Sequence, residues 1–201
     1  MEAVELLMSG FEYAWRVRPM SGEQFAGDAC WIVEHGSRLQ ATLVDVLGHG
    51  PQAAELAEKV HGWLKRRPLV EPGALLRDMH RQFKGSRGMV AASALLDDDS
   101  LICSAVGNIV IRIAGQHARQ HVNQDGVIGY IMAEPKDARY PFAARDVLIM
   151  HSDGLSSRFE PELFPGMDER SCGDIAEALM QRYARSTDDA SCVVVKRQAC
   201  S

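Results

Sequence analysis

Four aspartates of this sequence share one local setting. Asp45 closes the run "ATLVD" (41–45), and a Gly-His-Gly turn and an alanine-rich helical segment follow it. Asp28 lies in "AGDACWIV", Asp153 in "DVLIMHSDGL", and Asp188, followed by Asp189, in "STDDASCVVV". Each stands at the end of an apolar run beside small residues. A lone carboxylate there costs on the order of several kcal/mol to desolvate unless it gains a partner or a metal. Gathered at one place, the four would repel and shift toward their neutral forms. A pair of divalent cations removes that penalty, and the small neighbours leave room for an ion and its ligand close to the backbone. Carboxylate-rich, water-rich ligation suits hard ions, Mg²⁺ or Mn²⁺. Five cysteines (Cys30, Cys103, Cys172, Cys192 and Cys200) form no CxxC pair and are odd in number, so reduced thiols are expected rather than a zinc site or a disulfide framework.

The elements that must position these groups follow from hydrophobic patterning. Strands are expected at 41–45, 89–96, 101–106, 109–113, 146–150 and 192–195, with weaker candidates in "FEYAWRV" and "ACWIVEHG". "DDDS" (97–100) reads as a hairpin turn, "GN" (107–108) as the turn joining the next pair, and "EPKDARYP" (134–141) as loop. Three helices are expected. In "PQAAELAEKVHGWLKRR" Ala53, Leu56, Val60 and Leu64 share one face behind Pro51. "PGALLRDMHRQF" presents Leu75 or Leu76, Met79 and Phe83, and "SCGDIAEALMQRYA" opens with Ser171 and Asp174 as a capping box. Strands joined by tight turns, with helices carrying a single apolar face, predict an α+β layered sandwich with mainly antiparallel sheets.

Composition narrows the function classes. A chain of 201 residues can bury a full core as one domain. With 46% hydrophobic and 24% charged residues it falls in the soluble globular range. The net charge is −5 and the longest basic block is Lys65-Arg66-Arg67, so no nucleic-acid footprint is visible. The start, "MEAVELLMSGF", is acidic where a signal peptide would be basic, and no stretch approaches a membrane span. A cytoplasmic protein is expected.

"GD" (27–28), "VDVLGHGPQAAELA" (44–57), "SDGL" (152–155) and "DDAS" (188–191) together resemble the signature of SpoIIE-type protein serine/threonine phosphatases, the bacterial branch of the metal-dependent type 2C (PPM) family. "VGN" (106–108) and the glycine in "GVIGYI" resemble further stretches of that domain. The resemblance implies a four-layer α-β-β-α sandwich in which residues 1–201 form a single phosphatase domain holding two Mn²⁺ or Mg²⁺ ions. It implies that Asp45 bridges the ions and Val46 lends a backbone carbonyl. Asp28 would ligate on the Asp45 side, directly or through water, and Asp153 and Asp188 would hold the second ion. Compactness makes the chain similar to stand-alone RsbX-type phosphatases, whose substrates are phosphoserine and phosphothreonine on STAS-domain proteins of the stressosome. The alternatives are a phosphatase acting on an anti-anti-sigma factor, and a non-catalytic phosphoprotein-binding module of the same fold.

Two positions depart from the pattern of the larger eukaryotic relatives. Their phosphate-gripping arginine precedes the first acidic motif, where "SGEQFAGD" offers Glu23, so the phosphate falls to the metals or to an arginine elsewhere. Their histidine directly follows the bridging "DG", whereas His49 comes later and is read either as a shaper of the turn or as a proton donor. Ser152 is open to two readings, a nucleophile or a small neighbour of a ligand. His117 and His121 have i, i+4 spacing but flank a strand or turn, so no zinc pair is expected of them, and His151 is expected to be structural.

Overall fold

A computed structural model of the chain describes residues 10–97, 99–156 and 166–197. Twelve strands and three α-helices follow one another as β1 (Phe11–Arg18), β2 (Asp28–His35), β3 (Arg38–Val46), α1 (Pro51–Leu64), α2 (Pro72–Gln82), β4 (Met89–Leu96), β5 (Ser100–Val106), β6 (Val110–Ala114), β7 (Arg119–Gln120), β8 (Gly126–Val127), β9 (Ile131–Met132), β10 (Ala138–Pro141), β11 (Val147–His151), α3 (Cys172–Tyr183) and β12 (Ala190–Arg197). One five-stranded sheet runs β1-β12-β11-β6-β7 and a second runs β10-β5-β4-β3-β2, while β8 and β9 form a small separate ribbon. Every paired strand in the two large sheets is antiparallel.

Three apolar clusters define four layers. Leu39, Leu43, Ala92, Ala94, Leu148, Met150 and Val193 belong to the cluster between the sheets. Ile175, Ala176 and Leu179 of α3 pack on the outer face of the first sheet, against Val147, Ile149, Cys192 and Val194. Leu56, Val60, Leu75, Leu76 and Met79 of α1 and α2 cover the outer face of the second, against Val44, Val46, Met89 and Ala91. The architecture is therefore α-β-β-α. Central strands β4 and β12 are covered on both faces, which explains why their sequences are almost continuously apolar rather than alternating. The helix starts use the local chemistry expected of them. Pro51 opens α1, and Ser171 Oγ accepts from the Asp174 N–H at the head of α3.

Two local expectations need correction. Gly107-Asn108 does not close a hairpin, because β5 and β6 lie in different sheets. A Cβ on Gly107 would collide with Val90, and φ there is +93°, so glycine is required where the chain turns across the sandwich. "EPKDARYP" is not all loop, since Ala138–Pro141 forms β10 and pairs with β5 at the sheet edge. Pro141 is tolerated because that edge leaves its missing donor unneeded. The "DDDS" turn does join β4 to β5, closed by Asp97 N–H to Ser100 O at 3.0 Å, with Asp98 itself outside the described residues. Cys30, Cys103, Cys172 and Cys192 are buried free thiols, and Cys200 lies outside the described residues. Among the described residues, no helix is long and apolar enough to cross a membrane.

Candidate active site

The two sheets deliver their carboxylates to the same end of the sandwich. Asp28 begins β2 and Asp45 stands one residue before the end of β3; the two face each other in the antiparallel register. Asp153 lies just beyond β11 and Asp188 just before β12, strands that pair antiparallel with His151 opposite Cys192. Ser152 ties one sheet to the other. Its hydroxyl donates to Asp28 Oδ2 at 2.7 Å and accepts the Ser191 N–H at 3.0 Å, in a fully buried position.

The electrostatics record this convergence. Burial, reinforced by the charges of Asp28, Asp153, Asp188 and Asp189, raises the Asp45 carboxyl to about 8. Burial likewise raises Asp28, which is 6% exposed, to about 7, with Asp189 and Asp188 adding to the rise. Asp188 is also raised, mainly by burial and then by Asp153. Buried carboxylates that also add to one another's penalty call for a counter-cation. The donor set is all oxygen, which fits Mg²⁺ or Mn²⁺ and not zinc. Among the described residues, no three His, Cys, Asp or Glu side chains are gathered tightly enough to hold one ion between them. Ions of this class retain several waters and use few side chains each, so the cluster fits them without a closed protein cage.

The two acids of "DD" have different duties. Asp189 is buried, and its oxygens accept the Met20 N–H at 2.7 Å and the Gly27 N–H at 2.6 Å. Asp188 is half-buried and its Oδ1 accepts only the Asp189 N–H among the described residues. Asp189 is thus a staple for the segment leading into Asp28, and Asp188 keeps its free lone pairs. Val46 gives its N–H to Gly27 O, while Met89 opposite exchanges both backbone bonds with Ile128 and does not consume the Val46 carbonyl.

Sequence reasoning left several contributors unassigned. Asn108 Nδ2 donates to Asp153 Oδ2 at 2.8 Å, which gives the "VGN" stretch a physical role. Gly154 lies so close to the Asp189 carbonyl that no Cβ would fit. Glu23 accepts from His49 Nδ1 at 3.2 Å, tying the loop before β2 to the turn after β3. His49 also reaches toward Asp188, whose carboxyl it lowers against the larger effects. His117 bonds Asp146 and His121 bonds Tyr140, so these two histidines serve separate contacts. His151 is buried, its Nδ1–H donating to Ser152 O at 2.8 Å. A cleft of about 250 Å³ opens beside Asp28, lined by Trp15, Val17, Phe25, Ala54, Ala57 and His61 among others.

Comparison with known proteins gives this geometry a context. The family model described as stage II sporulation protein E (SpoIIE) matches residues 35–198. A chain solved under the description "The bacterial stressosome: a modular system that has been adapted to control secondary messenger signaling" superposes with a TM-score of 0.83 at 24% identity, over 92% of this chain and 99% of that one. RsbX in complex with magnesium superposes at 0.81 with 16% identity, over 96% and 98%. The PP2C phosphatase domain and regulatory fragment of SpoIIE from Bacillus subtilis superposes at 0.74 with 19% identity, over 96% of this chain and 64% of that one. At these identities the superpositions establish the fold. No curated protein sequence matches the chain.

Proposed function

The chain belongs to the SpoIIE family and is a metal-dependent serine/threonine protein phosphatase of the PP2C type, and from that premise we propose that the aspartate cluster is its active site and that phosphorylated STAS-domain proteins of a stressosome are its substrates. The observation that supports the reading is that Asp28 stands opposite Asp45 in the β2–β3 register and that the charges of Asp28, Asp153 and Asp188 all bear on the buried Asp45 carboxyl. Residues 1–201 are taken as one phosphatase domain. The likeness to the stressosome chain and to RsbX supports the substrate class.

Asp45, with the Val46 carbonyl, would hold two Mn²⁺ or Mg²⁺ ions, Asp28 completing the first and Asp153 and Asp188 the second. Such ions, when bound, acidify water and offset phosphoryl charge. The residues around them orient and exclude. Ser152 fixes the Asp28 carboxylate, Asn108 fixes that of Asp153, and Asp189 holds the Gly27 backbone against the cluster. The cleft beside Asp28 has room for an apolar side chain flanking the phosphorylated residue. Ser152 is enclosed and hydrogen-bonded on both sides, so it is a positioning residue and not the attacking group.

The test is dephosphorylation of phosphorylated STAS proteins, followed by mass spectrometry with and without Mn²⁺. Turnover that requires Mn²⁺ and disappears in Asp45→Asn and Asp153→Asn, with folding intact, is expected. Activity in excess EDTA, or in either variant, would remove the active-site assignment. Preference for an anti-anti-sigma factor over stressosome proteins would replace the substrate.

A further inference from the structure

Strand β2 ends its sheet: β3 takes one side of it, and among the described residues no strand pairs with the other. The register fixes which backbone groups face that free side. In an antiparallel ladder, opposed residues alternate between pairs that exchange both hydrogen bonds and pairs that exchange none. Gly27 O accepts the Val46 N–H, so the bonded pairs continue as Ala29 with Val44 and Trp31 with Thr42. The N–H and C=O groups of Asp28, Cys30 and Ile32 therefore point away from β3.

The cleft of about 250 Å³ lies along this side. Ala29 and Cys30 both line it, although successive side chains of a strand point to opposite faces of the sheet. One cleft touches both faces only by wrapping the edge between them. Its walls agree. Trp15 and Val17 of β1, which pack on the cluster between the sheets, close the inner side, and Ala54 and Ala57 of α1 close the outer one. Phe25, 56% exposed, adds apolar surface from the loop before β2. That loop is fastened where the Met20 and Gly27 N–H groups donate to Asp189. The part of β2 that borders the cleft is residues 28–30, so the free edge begins at the aspartate cluster. An open strand edge beside an apolar cleft is a template for an extended chain: main-chain hydrogen bonds give affinity, and alternate side chains give specificity.

We infer that substrate binds by adding a strand to β2: an extended segment of the phosphoprotein pairs along the free edge and carries its phosphorylated residue to the Asp28 end. This rests on the phosphatase reading. The two-residue period of a strand then sets specificity. The residue two positions from the phosphorylated one falls beside Cys30, on the face of Trp15 and Val17, and is apolar. The residue between them faces α1, where Ala54 and Ala57 leave room and Glu58 disfavours an acidic side chain. The test uses the unmodified protein with Mn²⁺ and a phosphoserine peptide carrying valine two residues to either side, N-methylated at one amide at a time. Methylation removes a donor and crowds the edge, so strand pairing makes its effect alternate along the peptide. KM should rise about tenfold at alternate amides and stay within about twofold at those between. Ala54→Phe, which fills the cleft from α1, should also raise KM for the unmethylated peptide. A KM indifferent to methylation, or raised evenly at every amide, would overturn the added strand, and an unchanged KM in Ala54→Phe would overturn its place on β2. A dimer in sedimentation velocity that Ala54→Phe dissociates and the peptide does not would give the edge to a second copy and overturn the inference. p-Nitrophenyl phosphate, too small to span the cleft, separates the two readings. Its Mn²⁺-dependent hydrolysis beside methylation-insensitive peptide turnover would keep the phosphatase and lose the strand, and no turnover of either substrate would remove both.

Discussion

At the scale of single residues, the site depends on polar groups that never meet the substrate. Ser152 serves Asp28 with its proton and the Ser191 N–H with its lone pair. Replacing it with alanine leaves a buried donor unsatisfied and a buried carboxylate short of one bond, at about 1–3 kcal/mol. Ser152→Ala should therefore lower the unfolding free energy by that amount in urea titrations. It should require more Mn²⁺ for half-maximal turnover and still retain activity at saturating metal. Complete loss of turnover at saturating metal, with Mn²⁺ affinity by calorimetry unchanged, would instead make Ser152 the nucleophile. Asp188 and Asp189 show how little the residue type alone says. They are adjacent and chemically identical, yet one is consumed by two backbone donors and the other is not.

At the scale of elements, close backbone approach holds the site together. The turn after β11 presses Gly154 against the Asp189 carbonyl, just before β12. Gly154→Ala has no space to relax into and should cost about 1–3 kcal/mol or more. Gly62, inside α1, has only Arg66 Nη1 at 3.9 Å from its hypothetical Cβ. Gly62→Ala should stabilise by roughly 0.5–1 kcal/mol, because alanine suits a helix interior better than glycine. Paired melting curves of the two variants check both, and equal shifts would refute the steric account. The long central strands and the helices were legible because their apolar patterns are strong. The two-residue strands β7, β8 and β9 were not, since so short an element has no period of its own. β10 was missed because Lys136, Asp137 and Pro141 give its surroundings the composition of a loop.

At the scale of the whole molecule, folding forces like charges together, and this sets a pH dependence. Asp28 and Asp45 have raised carboxyl pKa values, about 7 and about 8, chiefly from burial. Between the ordinary carboxylate range near 4 and those values, the folded protein binds more protons than the unfolded chain, so stability falls as pH rises. Metal-free protein should therefore lose melting temperature between about pH 4 and pH 8. Saturating Mn²⁺ should oppose that loss increasingly with pH, because it binds deprotonated carboxylates. Differential scanning calorimetry in EDTA and in Mn²⁺ measures both slopes. Asp45→Asn should flatten the metal-free slope, and an unaltered slope would exclude this cluster as its source.

Residue type, order and patterning were enough to specify the layered α+β class, the long strands of both sheets and the aspartates whose settings set them apart. These are local properties, written in hydrophobic period, turn chemistry and motif. Which groups serve the site from a distance could be decided only by the tertiary structure. Asn108 reaches Asp153 because the chain changes sheets at Gly107, and Ser152 reaches Asp28 because the two sheets face each other. The backbone pairings that create these contacts join residues far apart in sequence, and no local pattern records the register in which distant strands meet.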